Sequence, residues 1–138
     1  MRVFGTGNHR LTPREREMDE CPFCDATAAV LSNALALARF DKYPVSVGHL
    51  LVMTRRHVAS YFESTAAERA ALMELIDAGK ALLDERFSPA GYNIGINVGA
   101  TAGQTIAHLH VHLIPRYAGD VADPRGGVRG VIPDKQKY

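Results

Sequence analysis

The chain has 138 residues, enough for one domain that buries about two-thirds of the surface its unfolded form exposes, and too few for a second core. Its 16 basic and 15 acidic side chains nearly cancel to a net charge of +1, which argues against a long nucleic acid as partner. Apolar stretches are strand-sized, short of the ~20 residues of a membrane helix, and the first residues lack an apolar signal segment, so a soluble, cytoplasmic protein without a membrane partner is expected.

Residues 1–18 mix glycines, a proline and alternating charges without apolar periodicity, and read as a flexible arm ahead of a domain spanning 19–138. Cys21 and Cys24 follow in "CPFC". A two-residue gap lets both thiolates reach one metal, although redox pairs share that spacing; without export signals the reduced, metal-binding form is favoured. The stretches "AVLSNALALARF" (29–40) and "GHLLVMTR" (48–55) flank the turn-prone "DKYPVSVG" and predict two strands of a hairpin or meander. Thr65 and Glu68 form a capping box, and Leu72, Leu75, Ile76, Gly79, Leu82 and Leu83 recur at helical spacing. A helix over 65–87 is predicted, ending before Pro89 and Gly91. Beyond it, "YNIGINV" alternates like a strand, "GATAGQT" is a glycine-rich loop, and "HLHVHLIPR" alternates again before a turn-rich tail. Strands on both sides of a central helix, with short connections, predict an α+β domain on a mostly antiparallel sheet.

In "AHLHVHLIP", His108, His110 and His112 share one strand face while Leu109, Val111 and Leu113 share the other, which belongs to the core. A row of imidazoles about 6.5–7 Å apart needs polar company if it is covered. A solvated face, a metal site, and an anion site in which a histidine attacks phosphorus are all compatible with the spacing. The preceding "NVGATAGQT" favours the last, because Gly99 and Gly103 can bring backbone amides to an anion and Asn97, Gln104 and Thr105 add neutral donors.

With these residues in view, "GQTIAHLHVHLIPR" resembles the signature of the histidine triad (HIT) superfamily of nucleotidyl hydrolases and transferases. "DKYPVSVGHLLVMTRRH" is similar to that family's nucleotide-binding strand pair, and "YNIGINVGATAGQT" to its phosphate loop; the likeness runs from about Cys21 to the C-terminus. It implies a five-stranded antiparallel sheet with one long and one or more short helices. It further implies that His110 attacks the α-phosphorus of a purine nucleotide derivative, most simply an adenosine one, to form a nucleotidyl-histidine that water cleaves. His112 then faces the phosphate oxygens, Thr105 bonds the leaving group, His49 stands near the triad, Asn97 contacts phosphate, Asp41 accepts the ribose hydroxyls, and Gly103 and Gln104 belong to the loop. Phe40 beside Asp41 is read as core.

A zinc-containing bacterial branch of that family completes its cysteine pair with two histidines, here His57 and His108. The resemblance therefore implies one structural Zn2+ on Cys21, Cys24, His57 and His108, a closed set that removes His108 from phosphate chemistry. The family's phosphorylase branch typically carries glutamine where this chain has His112, so hydrolysis is preferred over phosphorolysis. Dinucleoside polyphosphates and adenylylated small molecules are candidate substrates, and a homodimer is the usual assembly. The competing reading is a nucleotide-binding or signalling module with incidental slow turnover. Arg125 and Arg129 in the tail are expected near the mouth of the site, where they meet either a distal phosphate or solvent.

Overall fold

The structure, a computed structural model, describes residue 10 and residues 12–138. Most of the expected arm therefore lies outside the described residues. A short helix α1 (Pro13–Glu20) is a feature the sequence reading did not contain. Its run of Arg and Glu after a proline has good helix propensity but no apolar stripe, so periodicity could not reveal it.

Five strands form one antiparallel sheet in the order β1-β2-β3-β5-β4. They are β1 (Leu31–Ser32), β2 (Ala36–Phe40), β3 (Leu50–Thr54), β4 (Gly91–Gly95) and β5 (His110–Arg116). The stretch expected as one strand over 29–40 is two. Asn33 breaks it: its Oδ1 accepts from the amides of Leu35 and Ala36, and its own amide donates to the Ala36 carbonyl, closing a hairpin. The strand expected over 92–98 begins at Gly91 and ends at Gly95, and the triad strand begins at His110 rather than His108.

Helix α2 (Ala66–Phe87) is capped as predicted, with Thr65 Oγ1 accepting from the Glu68 amide and the Glu68 carboxylate accepting from the Thr65 amide. It ends through Ser88, which takes the left-handed conformation that the sequence reading assigned to the glycine region; Gly91 instead opens β4. The helix lies on one face of the sheet. Leu72, Leu75, Ile76 and Leu83 pack there on Leu50, Val52, Leu109, Val111 and Leu113, and Phe40 joins this core as expected. Leu109, Val111 and Leu113 are fully buried, as the alternation predicts. The opposite face carries Leu37, Leu51 and Met53 beneath Phe23, and the register sets Leu51 beside His112 and Met53 beside His110. That face, not covered by α2, is where the chemistry gathers.

Candidate active site

Alternation places His110 and His112 on the uncovered face of β5, and two neighbouring segments bring the rest. Between β2 and β3, Asp41 Oδ1 accepts from the Tyr43 amide, starting the turn that returns the chain to His49. Gly48 takes φ +89 at the end of this turn, where an added Cβ would meet Leu83 and Phe87 of α2 at 2.9 Å. Glycine thus lets the chain pass tightly under the helix and deliver His49 to the triad.

The hydrogen bonds fix which ring nitrogens carry protons. His49 Nδ1 accepts from the Val45 amide (3.2 Å), so neutral His49 carries its proton on Nε2, which donates to His112 Nδ1 (2.9 Å). Neutral His112 therefore carries its own proton on Nε2, a free donor. Asp41 Oδ2 stands 3.6 Å from His49 Nε2, placed to stabilise a charge on that ring. His110 Nδ1 donates to the His108 carbonyl (2.7 Å), which leaves the Nε2 lone pair available. Burial lowers the basicity of His49, His110 and His112, so each imidazole is held neutral.

A cavity of about 430 Å³ opens beside the row, lined by His49, His112, Asn97, Ile114 and, from the tail, Val128 and Val131. Asn97, His49 and His112 thus share the cavity, and Asp41 lies with His49 and His112 at its edge, their ligand atoms within 4.8 Å of one another. The glycine-rich loop is built differently from expectation. Gln104 does not present its amide to an anion: its Nε2 donates to the carbonyls of Ala59 and Ile106, and its Oε1 accepts from the Gly99 amide. The backbone amides of Ala102, Gly103 and Gln104 are likewise turned inward, onto the carbonyls of Gly99 and Ala100. These bonds satisfy the amides within the loop, so Gln104 and Gly103 shape it, and a Cβ added at Gly103 would come within 4.0 Å of Asn97 Nδ2. Thr105 is exposed at its end, and among the described residues no hydrogen bond joins it to the histidines.

Arg125 pairs with Asp123, and Arg129 donates to the carbonyls of Lys135 and Gln136 while stacking on Tyr138. Both arginines tie the tail to itself rather than face the row. Sequence reasoning missed Phe23 and Arg39, which touch the row or its cysteine neighbours; an aromatic between two cysteines and an arginine inside an apolar strand were the available signals.

A second cluster lies at the start of β5. His108 Nε2 donates to the Thr54 carbonyl (2.6 Å), turning Nδ1 toward Cys21 Sγ (3.4 Å) and Cys24 Sγ (3.5 Å). His57 Nδ1 stands 3.3 Å from Cys24 Sγ, and all four ligand atoms lie within 4.8 Å of one another. A thiolate and an imidazole sharing a tetrahedral zinc would be about 3.5 Å apart, given bonds of about 2.3 and 2.05 Å, so the donor set fits. Burial and the adjoining Cys21 sulfur push the Cys24 thiol up to about 11, so without a cation Cys24 keeps its proton. The cluster could therefore hold a metal.

A five-stranded sheet with a histidine row on its open face and one long helix behind it defines the class. The family model described as the HIT domain matches residues 25–119, and the chain belongs to that family. Cys21, Cys24 and the tail beyond residue 119 lie outside the match. Among relatives, the chain is 37% identical to a Mycobacterium tuberculosis protein named AP-4-A phosphorylase, over 66% of this chain and 47% of that protein. It is 35% identical to a Schizosaccharomyces pombe bis(5'-nucleosyl)-tetraphosphatase (asymmetrical), over 64% of this chain and 49% of that one. The chain thus spans about half the length of these two relatives. Among solved structures, it resembles a Zn-bound histidine triad family protein from Mycobacterium smegmatis with a TM-score of 0.69 and 28% identity, covering 77% of this chain and 81% of that one. No helix among the described residues is long and apolar enough to cross a membrane.

Proposed function

We propose that this protein is a nucleotide hydrolase that cleaves at the α-phosphorus of a dinucleoside polyphosphate or adenylylated small molecule through a nucleotidyl-His110 intermediate. The observation that carries this reading is the hydrogen bond from His110 Nδ1 to the His108 carbonyl, which leaves Nε2 unprotonated and nucleophilic. In the first step the Nε2 lone pair forms a P–N bond while the bond from phosphorus to the leaving oxygen breaks. Positive charge gathers on the ring, and the carbonyl at Nδ1 stabilises it. His112 donates from Nε2 to a non-bridging phosphate oxygen, its tautomer set by His49, and Asn97 adds a donor from the cavity wall. In the second step water attacks phosphorus and gives up a proton to solvent, the P–N bond breaks with its electron pair returning to Nε2, a nucleoside monophosphate leaves and neutral His110 returns.

Asp41 is assigned to the ribose through Oδ2, since Oδ1 is occupied by the Tyr43 amide, and Thr105 is assigned to the leaving group on entry of substrate. The relatives named as a phosphorylase and as a tetraphosphatase both support a nucleotide substrate; water is preferred as the acceptor because His112 is histidine. We further assign one structural zinc to Cys21, Cys24, His57 and His108, and a cytoplasmic homodimer. The zinc-bound relative and the donor distances support the metal. When bound, it would tie Cys21 and Cys24 of the N-terminal turn to His57 and to His108 just ahead of β5, and with four protein ligands its part would be structural.

The test is single-turnover incubation with labelled diadenosine tetraphosphate, with and without inorganic phosphate. Label trapped on wild type and absent from His110→Ala, with AMP as product, is expected; ADP formed only with phosphate would make the protein a phosphorylase. For the metal, Cys21→Ser should lose zinc by native mass spectrometry, and full retention would remove this assignment.

A further inference from the structure

The cysteine turn brings one side chain to the reacting face. Phe23, in the single turn Pro22–Cys24, is 5% exposed, and its ring centroid lies 4.7 Å from that of His110 with the planes at 67°. This is an edge-to-face pair, in which a positive ring edge meets a π face. Phe23 also stands edge-on to His108, at 6.2 Å and 82°. From β2, Arg39 lies over the same ring at 4.7 Å and donates from Nη1 to the Pro22 carbonyl at 2.8 Å. Arg39 is 6% exposed, and its Nε is a buried donor with no hydrogen-bond partner among the described residues. A guanidinium buried with an unmet donor is costly, and Leu37 and Leu51 beside it show that this face accepts plain aliphatic packing. What Arg39 holds is the turn: a carbonyl and a ring from two consecutive residues.

His110 needs such a support. Its Nδ1 hydrogen bond fixes one point of the imidazole but leaves the ring plane to be set by whatever packs on it. An in-line attack tolerates little misalignment. Resting on the reading of His110 as nucleophile, we propose that Phe23 is a positioning residue that holds the His110 ring in its attacking orientation, seated by the cysteine–histidine cluster on one side and Arg39 on the other. The cluster thereby gains a route to the chemistry without touching substrate: a change at Cys21 or Cys24 moves Phe23, and Phe23 moves His110.

The experiment compares wild type, Phe23→Leu and Arg39→Met as zinc-loaded proteins, reading kcat and KM with diadenosine tetraphosphate, zinc content, and the NMR signals of the His110 imidazole protons. Phe23→Leu should lower kcat about three- to tenfold with KM and zinc content unchanged, and the His110 protons should lose the ring-current shift of the aromatic. Arg39→Met, which leaves both cysteines and the ring in place, should move the same signals and lower kcat less. Chelating zinc from wild type should shift those signals too, and should add little to Phe23→Leu. Unmoved His110 signals in both variants, or a kcat that falls only in step with lost zinc or lost fold, would overturn the proposal. Should wild type turn over no dinucleotide, the hydrolase reading fails, while the His110 signals in Arg39→Met, which keeps the aromatic ring, still decide whether the seated Phe23 sets the imidazole.

Discussion

The chemistry of the site is decided by which nitrogen of each imidazole holds the proton, and each choice comes from one hydrogen bond. The Val45 amide sets His49, His49 sets His112, and two carbonyls, those of His108 and Thr54, set His110 and His108. Replacing His49 by Leu removes the donor at His112 Nδ1 and frees that ring to flip tautomer. We expect kcat to fall about 10- to 100-fold with little change in melting temperature, measured by steady-state kinetics beside thermal unfolding. Because burial holds His110 below its ordinary value, the nucleophile stays neutral into mild acid. The pH profile of kcat/KM should accordingly stay flat from pH 8 to below 6.5, and a limb falling at 6.5 or above would contradict that environment. The placement of His110 and His112 on one strand face was legible from alternation. The tautomers were not, since they depend on Val45 and on carbonyls that carry no mark in the sequence.

At the scale of elements, the long helix and the triad strand were readable because each carries a sustained period, 3.6 for α2 and 2 for β5. The β1–β2 hairpin was not, because Asn33 sits within an otherwise apolar run and its turn depends on side-chain bonds to Leu35 and Ala36. The glycine-rich loop was found but misread: its composition promised free amides, whereas the folded loop spends them on itself around Gln104. Gln104→Ala should therefore act on shape, lowering kcat/KM about tenfold while Asn97 and His112 remain in place. Gly48→Ala meets both a positive φ and the side chains of Leu83 and Phe87. A loss of about 1–3 kcal/mol in stability, read from urea unfolding, is the expected outcome, together with a displaced His49.

Across the molecule, one sheet divides the labour: α2 and its apolar partners cover one face, and the other side gathers five buried or half-buried imidazoles and a cysteine pair. Keeping histidines neutral inside a fold links stability to pH. In the unfolded chain they titrate near 6.5, whereas His49, His110 and His112 titrate lower in the native state. Below about 6.5 the unfolded form binds more protons, so stability is full above that pH and declines as the pH falls toward the depressed native values. Denaturant midpoints at pH 7.5 and 5.5 should show this fall, and Asp41, close to His49, moderates it. The five-stranded antiparallel sheet and its long helix followed from the sequence through the family resemblance, whereas the strand order is read from the structure. The contact between the cysteine turn and His110 did not follow from the sequence, because Phe23 is remote from His110 along the chain and meets it only when the N-terminal turn docks on β5.

All of these expectations converge on His110 Nε2 as the atom that attacks phosphorus. Acid-quenched single turnover with α-labelled diadenosine tetraphosphate, followed by peptide mapping, tests it most directly. Label on the peptide containing His110, appearing and decaying at rates that match AMP release and missing from His110→Ala, is the predicted result. Equal turnover by wild type and His110→Ala, or label carried by another residue, would contradict it.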